Sequence, residues 1–225
     1  PWRTSSEVGG LAEIYDPADT GEYSLSFDLP SDGMNGFASL YAENSDVVGW
    51  VKIDGTPLNY PVMQHASENE YYLRRSFYKE YDISGIPFLD IRNDIGQDQD
   101  NMIIYGHNMK SGLMFGSLSN YQKKEYFEEH PTVHFNTLRG NGVYEVVAAF
   151  QADVNQNSAA FFPYYNFIIA ANEEEFDNFW AQVQSRAFYD TGMTPEYGDR
   201  LLTLSTCDNI NDAGRFVILA RRVSS

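Results

Sequence analysis

The chain has 225 residues and carries 32 acidic against 15 basic side chains, a formal net charge of −17. That length fits one domain of generous size or a main domain with appendages, and 43% hydrophobic residues supply a core, so the composition excludes a disordered chain. The acidity argues against nucleic acid as a partner, which needs a cationic face, and against adsorption to an anionic membrane through surface charge.

Aromatic residues make up 15% of the chain, and with runs of Val and Ile they point to a β-rich fold. Residues 1–33 are rich in Gly, Ser, Asp and Pro and show little periodicity, so they read as a loosely attached arm, with Tyr23–Phe27 a short strand-like stretch. Residues 34–225 form the main domain. From Met34 to Glu43, the spacing of Phe37, Leu40 and Tyr41 predicts a short amphipathic helix. Val47–Ile53 and Leu58–Met63 predict two strands, joined by a turn at Asp54-Gly55. Glu68–Phe77 predicts a helical turn or two, Ile86–Ile91 a strand, and Asn93–Asn101 a polar acidic loop. Met102–Tyr105 predicts a buried strand ending at Gly106-His107, and Ser119–His130 a helix stopped by Pro131. Strands follow at Thr132–Asn136 and Val143–Ala152. Asn172–Arg186 is the clearest helix: Asn172 can cap it, Glu175 stands three residues on, and Phe176, Phe179, Trp180 and Val183 share one face. Residues 201–207 and 215–222 predict the two last strands. No repeat or low-complexity tract is present. No stretch is long and apolar enough to span a bilayer, and no signal peptide is visible. Because the chain opens at Pro1 without Met, a preceding signal or membrane anchor is expected to have been trimmed.

The chain has one cysteine, Cys207, at the end of Leu201–Cys207, and Arg215 opens the next apolar run eight residues on. A lone thiol cannot be half of an internal disulfide, so it is either an inert buried residue or a nucleophile. A strand end suits a nucleophile, since the sheet fixes it while its tip stays accessible. A thiol attacks a carbonyl as thiolate and needs a neighbour to take its proton; histidine does that and can later protonate a leaving amine. Arginine supplies a permanent cation for an oxyanion. Cys207, His107 and Arg215 therefore form the main candidate constellation, against a bland reading of a buried thiol and a surface ion pair. His107 follows Gly106, which is expected to let the backbone turn and present the ring. His130, at a helix C-terminus, already complements the dipole, and His65 and His134 carry weaker signals. A metal site is not expected: no His pair has helical spacing, and Asp94, Asp98 and Asp100 lack the calcium-loop pattern and read as solvated.

The segment Asn101–Met109, followed by Met114–Leu118, resembles the histidine motif of the sortases, class B in particular. Thr203–Cys207 with Arg215 resembles their cysteine signature, and Val48–Ile53 with Tyr60-Pro61-Val62, and Phe88–Asn93, add further matches. The resemblance covers roughly residues 34 to 222; the arm at 1–33 departs from it. It implies a mostly β fold: a closed eight-stranded sortase-type barrel with N-terminal helices and an inserted helix before the cysteine strand, residues 34–225 being the catalytic domain. It also implies a cysteine transpeptidase at the outer face of a Gram-positive cell membrane, held there by an N-terminal anchor absent from this chain. Cys207 would attack the Thr carbonyl of a C-terminal sorting signal on a secreted protein and form a thioester. An amine of a cell-wall peptidoglycan precursor, or a pilin lysine, would resolve it. His107 would act as general acid and base, and Arg215 would hold the oxyanion and substrate backbone. Tyr105, Ser205 and Asp208 match substrate-groove positions of the family. No cofactor is implied. Alternative readings are a pilin-polymerising class B sortase, a cysteine protease that hydrolyses the thioester, and a non-enzymatic surface-binding β-barrel.

Overall fold

The apolar runs of this sequence pair edge to edge until the sheet closes on itself. A computed structural model describes residues 9–13, 15, 36–207 and 214–223. Its strands are β1 (Val47–Lys52), β2 (Asn59–Met63), β3 (Phe88–Leu89), β4 (Asn101–His107), β5 (Thr132–Thr137), β6 (Val143–Asp153), β7 (Leu201–Cys207) and β8 (Gly214–Arg222). They form a closed barrel in the order β1-β2-β3-β4-β7-β8-β6-β5, the architecture the resemblance implies. Most neighbours are antiparallel, but β2–β3 and β4–β7 are parallel. A parallel pair needs a long crossover, and that between β4 and β7 includes the helices α2 (Lys124–Glu129) and α3 (Glu173–Gln184).

Two-sided burial explains why the last strands read as unbroken apolar runs. Along β8, Phe216, Ile218 and Ala220 join the cluster inside the barrel, while Val217 and Leu219 join a second cluster outside it. β7 divides likewise, with Leu202 and Leu204 inside and Leu201 outside. The period of two is that of any strand; here both faces are covered. The outer cover is α3, whose Phe176, Phe179 and Val183 are buried in the second cluster. Its expected cap is present: the Asn172 side chain accepts from the Glu175 N–H at 3.0 Å, and the Glu175 carboxylate accepts from Ala171 N–H at 2.8 Å.

A third cluster joins α1 (Ala38–Glu43) to the outside of β1 through Phe37, Leu40, Val47 and Trp50. Of the residues expected to be a loose arm, 9–13 are helical, Leu11 is buried, and Tyr15 stacks on Trp50 with ring centroids 5.0 Å apart. The strand expected at Tyr23–Phe27 lies outside the described residues.

Two expected elements differ. The helix predicted over 119–130 is a 3-10 stretch, Gly116–Gln122, then α2, with Lys123 extended between them. Leu118 and Tyr121 are buried three residues apart, which suits a 3-10 turn. In a continuous α-helix Phe127, six further on, would turn about 120° away from Tyr121, and the break at Lys123 re-phases the chain to bury it. The strand predicted over 86–91 shrinks to Phe88–Leu89, because side chains take over its pairing. Asn93 acts as a surrogate strand: its Oδ1 accepts from Ile103 N–H at 2.8 Å and its Nδ2 donates to Asn101 O at 2.8 Å. Removing one partner from a buried backbone group costs about 1–3 kcal/mol. Asn93→Ala strands two such groups on β4, so chemical denaturation is expected to show a loss of about 2–4 kcal/mol with an unchanged slope.

Candidate active site

The parallel ladder between β4 and β7 runs in register from Asn101↔Leu201 to His107↔Cys207. Positions 107 and 207, a hundred residues apart in sequence, are therefore cross-strand neighbours on one face at the same end of the barrel. The antiparallel β7–β8 ladder runs from Leu201↔Arg221 to Ser205↔Val217, and the same register carried two residues further sets 215 across from 207. On its other side Arg215 pairs with Ala152 of β6. The three positions singled out from sequence thus converge through backbone register.

His107 is buried, and its Nε2 lies 2.5 Å from the carbonyl oxygen of Leu73. A carbonyl only accepts, so Nε2 carries hydrogen and Nδ1 is where the ring gains or loses its second proton. Leu73 belongs to the 3-10 turn Tyr71–Arg74. Gly85, at φ +56, packs directly on that carbonyl, where a Cβ would overlap it. Gly106 has a different job from the one expected. It does not turn the chain: it lies within β4, and a Cβ there would sit 2.7 Å from the ring of Phe115. Phe115 and Met109 both donate their backbone N–H to His107 O, at 2.9 and 3.1 Å, which fixes the strand end that carries the histidine.

A groove of about 480 Å³ opens beside these strand ends, lined among others by Asn69, Leu73, Arg92, Tyr105, Tyr164 and Arg215. Arg215 is half-buried and its Nη1 donates to Gly214 O at 3.3 Å. Tyr105 lines the groove as expected, and its hydroxyl donates to Asp90 Oδ2 at 2.9 Å. Burial, then the charge of Asp90, pushes that phenol well above its ordinary range. The Asp90 carboxylate is itself buried, which opposes ionisation. Hydrogen bonds from the Arg92 side chain and backbone, and from Tyr105, outweigh that and hold it below the usual carboxylate range. Arg92 grips it with two bonds of 2.8 Å, Nε to Oδ1 and Nη2 to Oδ2, and Nη2 also reaches Tyr165 O at 2.5 Å.

Ser205 does not open on the groove. It is fully buried, and its hydroxyl meets the Tyr164 hydroxyl at 2.6 Å; Tyr164 is the member of the pair that lines the groove. Asp208 lies outside the described residues. The acidic loop is occupied by structural bonds: Asp94 accepts from Gly96 N–H at 2.7 Å, and Asp100 accepts from Ala170 N–H at 2.7 Å and from Arg200 at 3.1 Å. His130 and His134 meet Asp54 instead, through its carbonyl at 2.9 Å and its carboxylate at 3.2 Å. Sequence reasoning missed the Leu73 carbonyl, which carries no side-chain signal, and the pairing of Tyr164 with Ser205. The Asp90–Arg92 clamp was visible only as part of the Phe88–Asn93 motif.

The sortase-domain family matches residues 51–223. Sortase B of Staphylococcus aureus is 30% identical over 187 residues, covering 82% of this chain and 73% of that protein. Sortase B of Listeria monocytogenes is 33% identical over 183 residues, covering 80% and 71%. The solved Staphylococcus aureus sortase B–substrate complex superposes with a TM-score of 0.85 at 26% identity, covering 99% of this chain and 97% of the other.

The depressed Asp90 carboxyl has a consequence for pH. A group whose folded pKa lies below its unfolded value contributes stability in full above about pH 4 and loses it as the pH falls through the folded value. Asp90→Asn is expected to lower stability at pH 7 and to flatten the further loss below about pH 4, read from urea midpoints taken from pH 7 down to about pH 2.5.

Proposed function

The chain belongs to the sortase family of cysteine transpeptidases, class B, and we propose that it cleaves a C-terminal sorting signal of secreted proteins after Thr and transfers the acyl group through a Cys207 thioester to an amine. The observation that carries this reading is the register pairing His107 with Cys207 at the open end of two parallel strands. In the first half-reaction the Cys207 thiolate adds to the Thr carbonyl and forms the C–S bond. Arg215 balances the oxyanion, and the C–N bond breaks as His107 passes a proton from Nδ1 to the departing amine. In the second half an incoming amine adds to the thioester, loses its proton to the same nitrogen and expels the thiolate. The hydrogen bond from Nε2 to Leu73 O accepts no proton in either half, so it supports this division between the two ring nitrogens.

Tyr105, braced on Asp90, and Arg215 would contact the sorting signal, and Ser205 would act as a positioning residue by holding Tyr164 against the groove. Asp208, directly after the nucleophile, joins them by its match to the family pattern. Sortases act at the cell surface; we place this one at the outer face of the membrane, with a peptidoglycan precursor as acceptor.

Incubation with sorting-signal peptides, with and without an amine, followed by intact mass, tests the reading. The expected result is a covalent adduct, absent in Cys207→Ala, that amine converts to ligated peptide. Hydrolysed peptide alone, with every amine offered, would make the enzyme a protease. His107→Ala is expected to lower kcat/KM by about 10³-fold or more, and Arg215→Ala by about 10²–10³-fold. Arg215→Lys should recover part of the latter, because it restores charge without the forked donor geometry.

A further inference from the structure

Away from the active site, where β7 begins and β8 ends, a separate cavity of about 200 Å³ opens between those strands, the turn after β5 and loop 94–99. Three guanidinium groups line it, those of Arg139, Arg200 and Arg222, in a chain whose formal charge is −17. Arg139 lies against Gly96, 3.1 Å from where a Cβ would stand, so a close backbone approach holds it over the loop. Arg222 Nη2 donates to Asn141 O at 3.1 Å. Among the described residues neither Arg139 nor Arg222 has a carboxylate within ion-pairing distance. Arg200 is shared between Asp100 at 3.1 Å and Asp98 at 3.6 Å, the latter on an almost fully exposed side chain at the rim.

A second observation is independent of charge. Tyr144, only 1% exposed, also lines the cavity, and its hydroxyl has no hydrogen-bond partner among the described residues. No fully enclosed side-chain oxygen among those residues lacks a partner, so this hydroxyl opens on the cavity. Buried polar groups are normally satisfied. The hydroxyl can donate to an acceptor in the cavity, as can the two arginines.

We propose that this cavity binds the phosphate group of an anionic ligand. Guanidinium forks and a phenol O–H present convergent donors from several directions, which fit a tetrahedral oxyanion with several acceptor oxygens. Arg139 and Arg222 supply the uncompensated charge, while Arg200 is held ready by its two carboxylates. The repulsion from the rest of this acidic chain is screened beyond about 8 Å in physiological salt, so recognition is a short-range property of the cavity. Met102 on its wall and His107 in the active site are five residues apart on β4, about 17 Å, so one phosphate cannot occupy both. The phosphate is either a free monoester or inorganic ion, or the diester of a polymer.

The test is a titration of the isotope-labelled chain with inorganic phosphate, and in parallel with a glycerol phosphodiester, at fixed ionic strength. Arginine Nε–Hε resonances are read by NMR. Saturable shifts of Arg139 and Arg222 at about 1 mM or tighter are expected. Arg139→Gln with Arg222→Gln should weaken binding at least about tenfold, and Tyr144→Phe, which keeps the ring, about threefold. Tighter binding of the diester assigns the site to a polymer, and tighter binding of phosphate to the free ion. Shifts that chloride reproduces, that fail to saturate, or that persist unchanged in the double variant overturn the proposal.

Discussion

The parallel ladder between β4 and β7 is the constraint on which the rest of the structure depends. It alone brings positions 107 and 207 together, and a slip of one residue would send one of them to the opposite face of the sheet. The register is fixed at the far end by polar side chains. Thr203 Oγ1 donates to Asn101 Oδ1 at 2.9 Å across the two strands, and Asn101 Nδ2 donates to Phe167 O at 2.8 Å. The Leu201 N–H meets Asp100 O at 2.7 Å. Each of these groups is buried, so any shifted pairing would leave several of them without partners. Hydrophobic burial supplies the stability of the barrel; these few polar contacts select which barrel forms.

The groove is organised by the same logic. An acidic chain must still present a usable cation at the strand ends, and buried Asp90 stands close by. Arg92 and Tyr105 together occupy that carboxylate, so its negative charge is matched locally rather than left facing the groove. The phenol of Tyr105 is thereby held in one orientation with its ring along the groove wall. Ser205 and Tyr164 repeat the pattern, both buried, with Tyr164 reaching the groove lining. In both pairs a buried polar atom fixes an aromatic ring that lines the groove.

Much of this was legible in the sequence, and the boundary has physical causes. The runs 201–207 and 215–222 announced themselves because both faces of β7 and β8 are buried, and α3 was legible because its cap and apolar face are both local features. Cys207, His107 and Arg215 could be chosen by residue type and element ends. Chain distance hid the partners of those residues. The Leu73 carbonyl is invisible to any reading of side chains. Gly106 was recognised as necessary but for the wrong reason, since a glycine required for a turn and one required for a ring contact look alike in sequence. The division of 119–130 at Lys123 was missed because Leu118, Tyr121 and Phe127 must be seen in one core before their spacing conflicts with a single helix.

The bond between the His107 ring and a backbone carbonyl bears on how the proposed catalytic cycle would keep its geometry. A carboxylate partner draws the ring toward its charged form and can itself take up a proton. A carbonyl does neither; it accepts the same Nε2–H bond whether the ring is neutral or cationic. In the proposed mechanism the ring would therefore pick up and release a proton at Nδ1 in two successive half-reactions without its tether changing. The tether is stiff because Leu73 lies in a 3-10 turn and Gly85 closes on its carbonyl from behind. That turn contributes Leu73 to the groove wall, and the two residues before it contribute Asn69 and Glu70. In the proposed mechanism, a peptide lying along that wall would touch Leu73, whose carbonyl bonds the His107 ring.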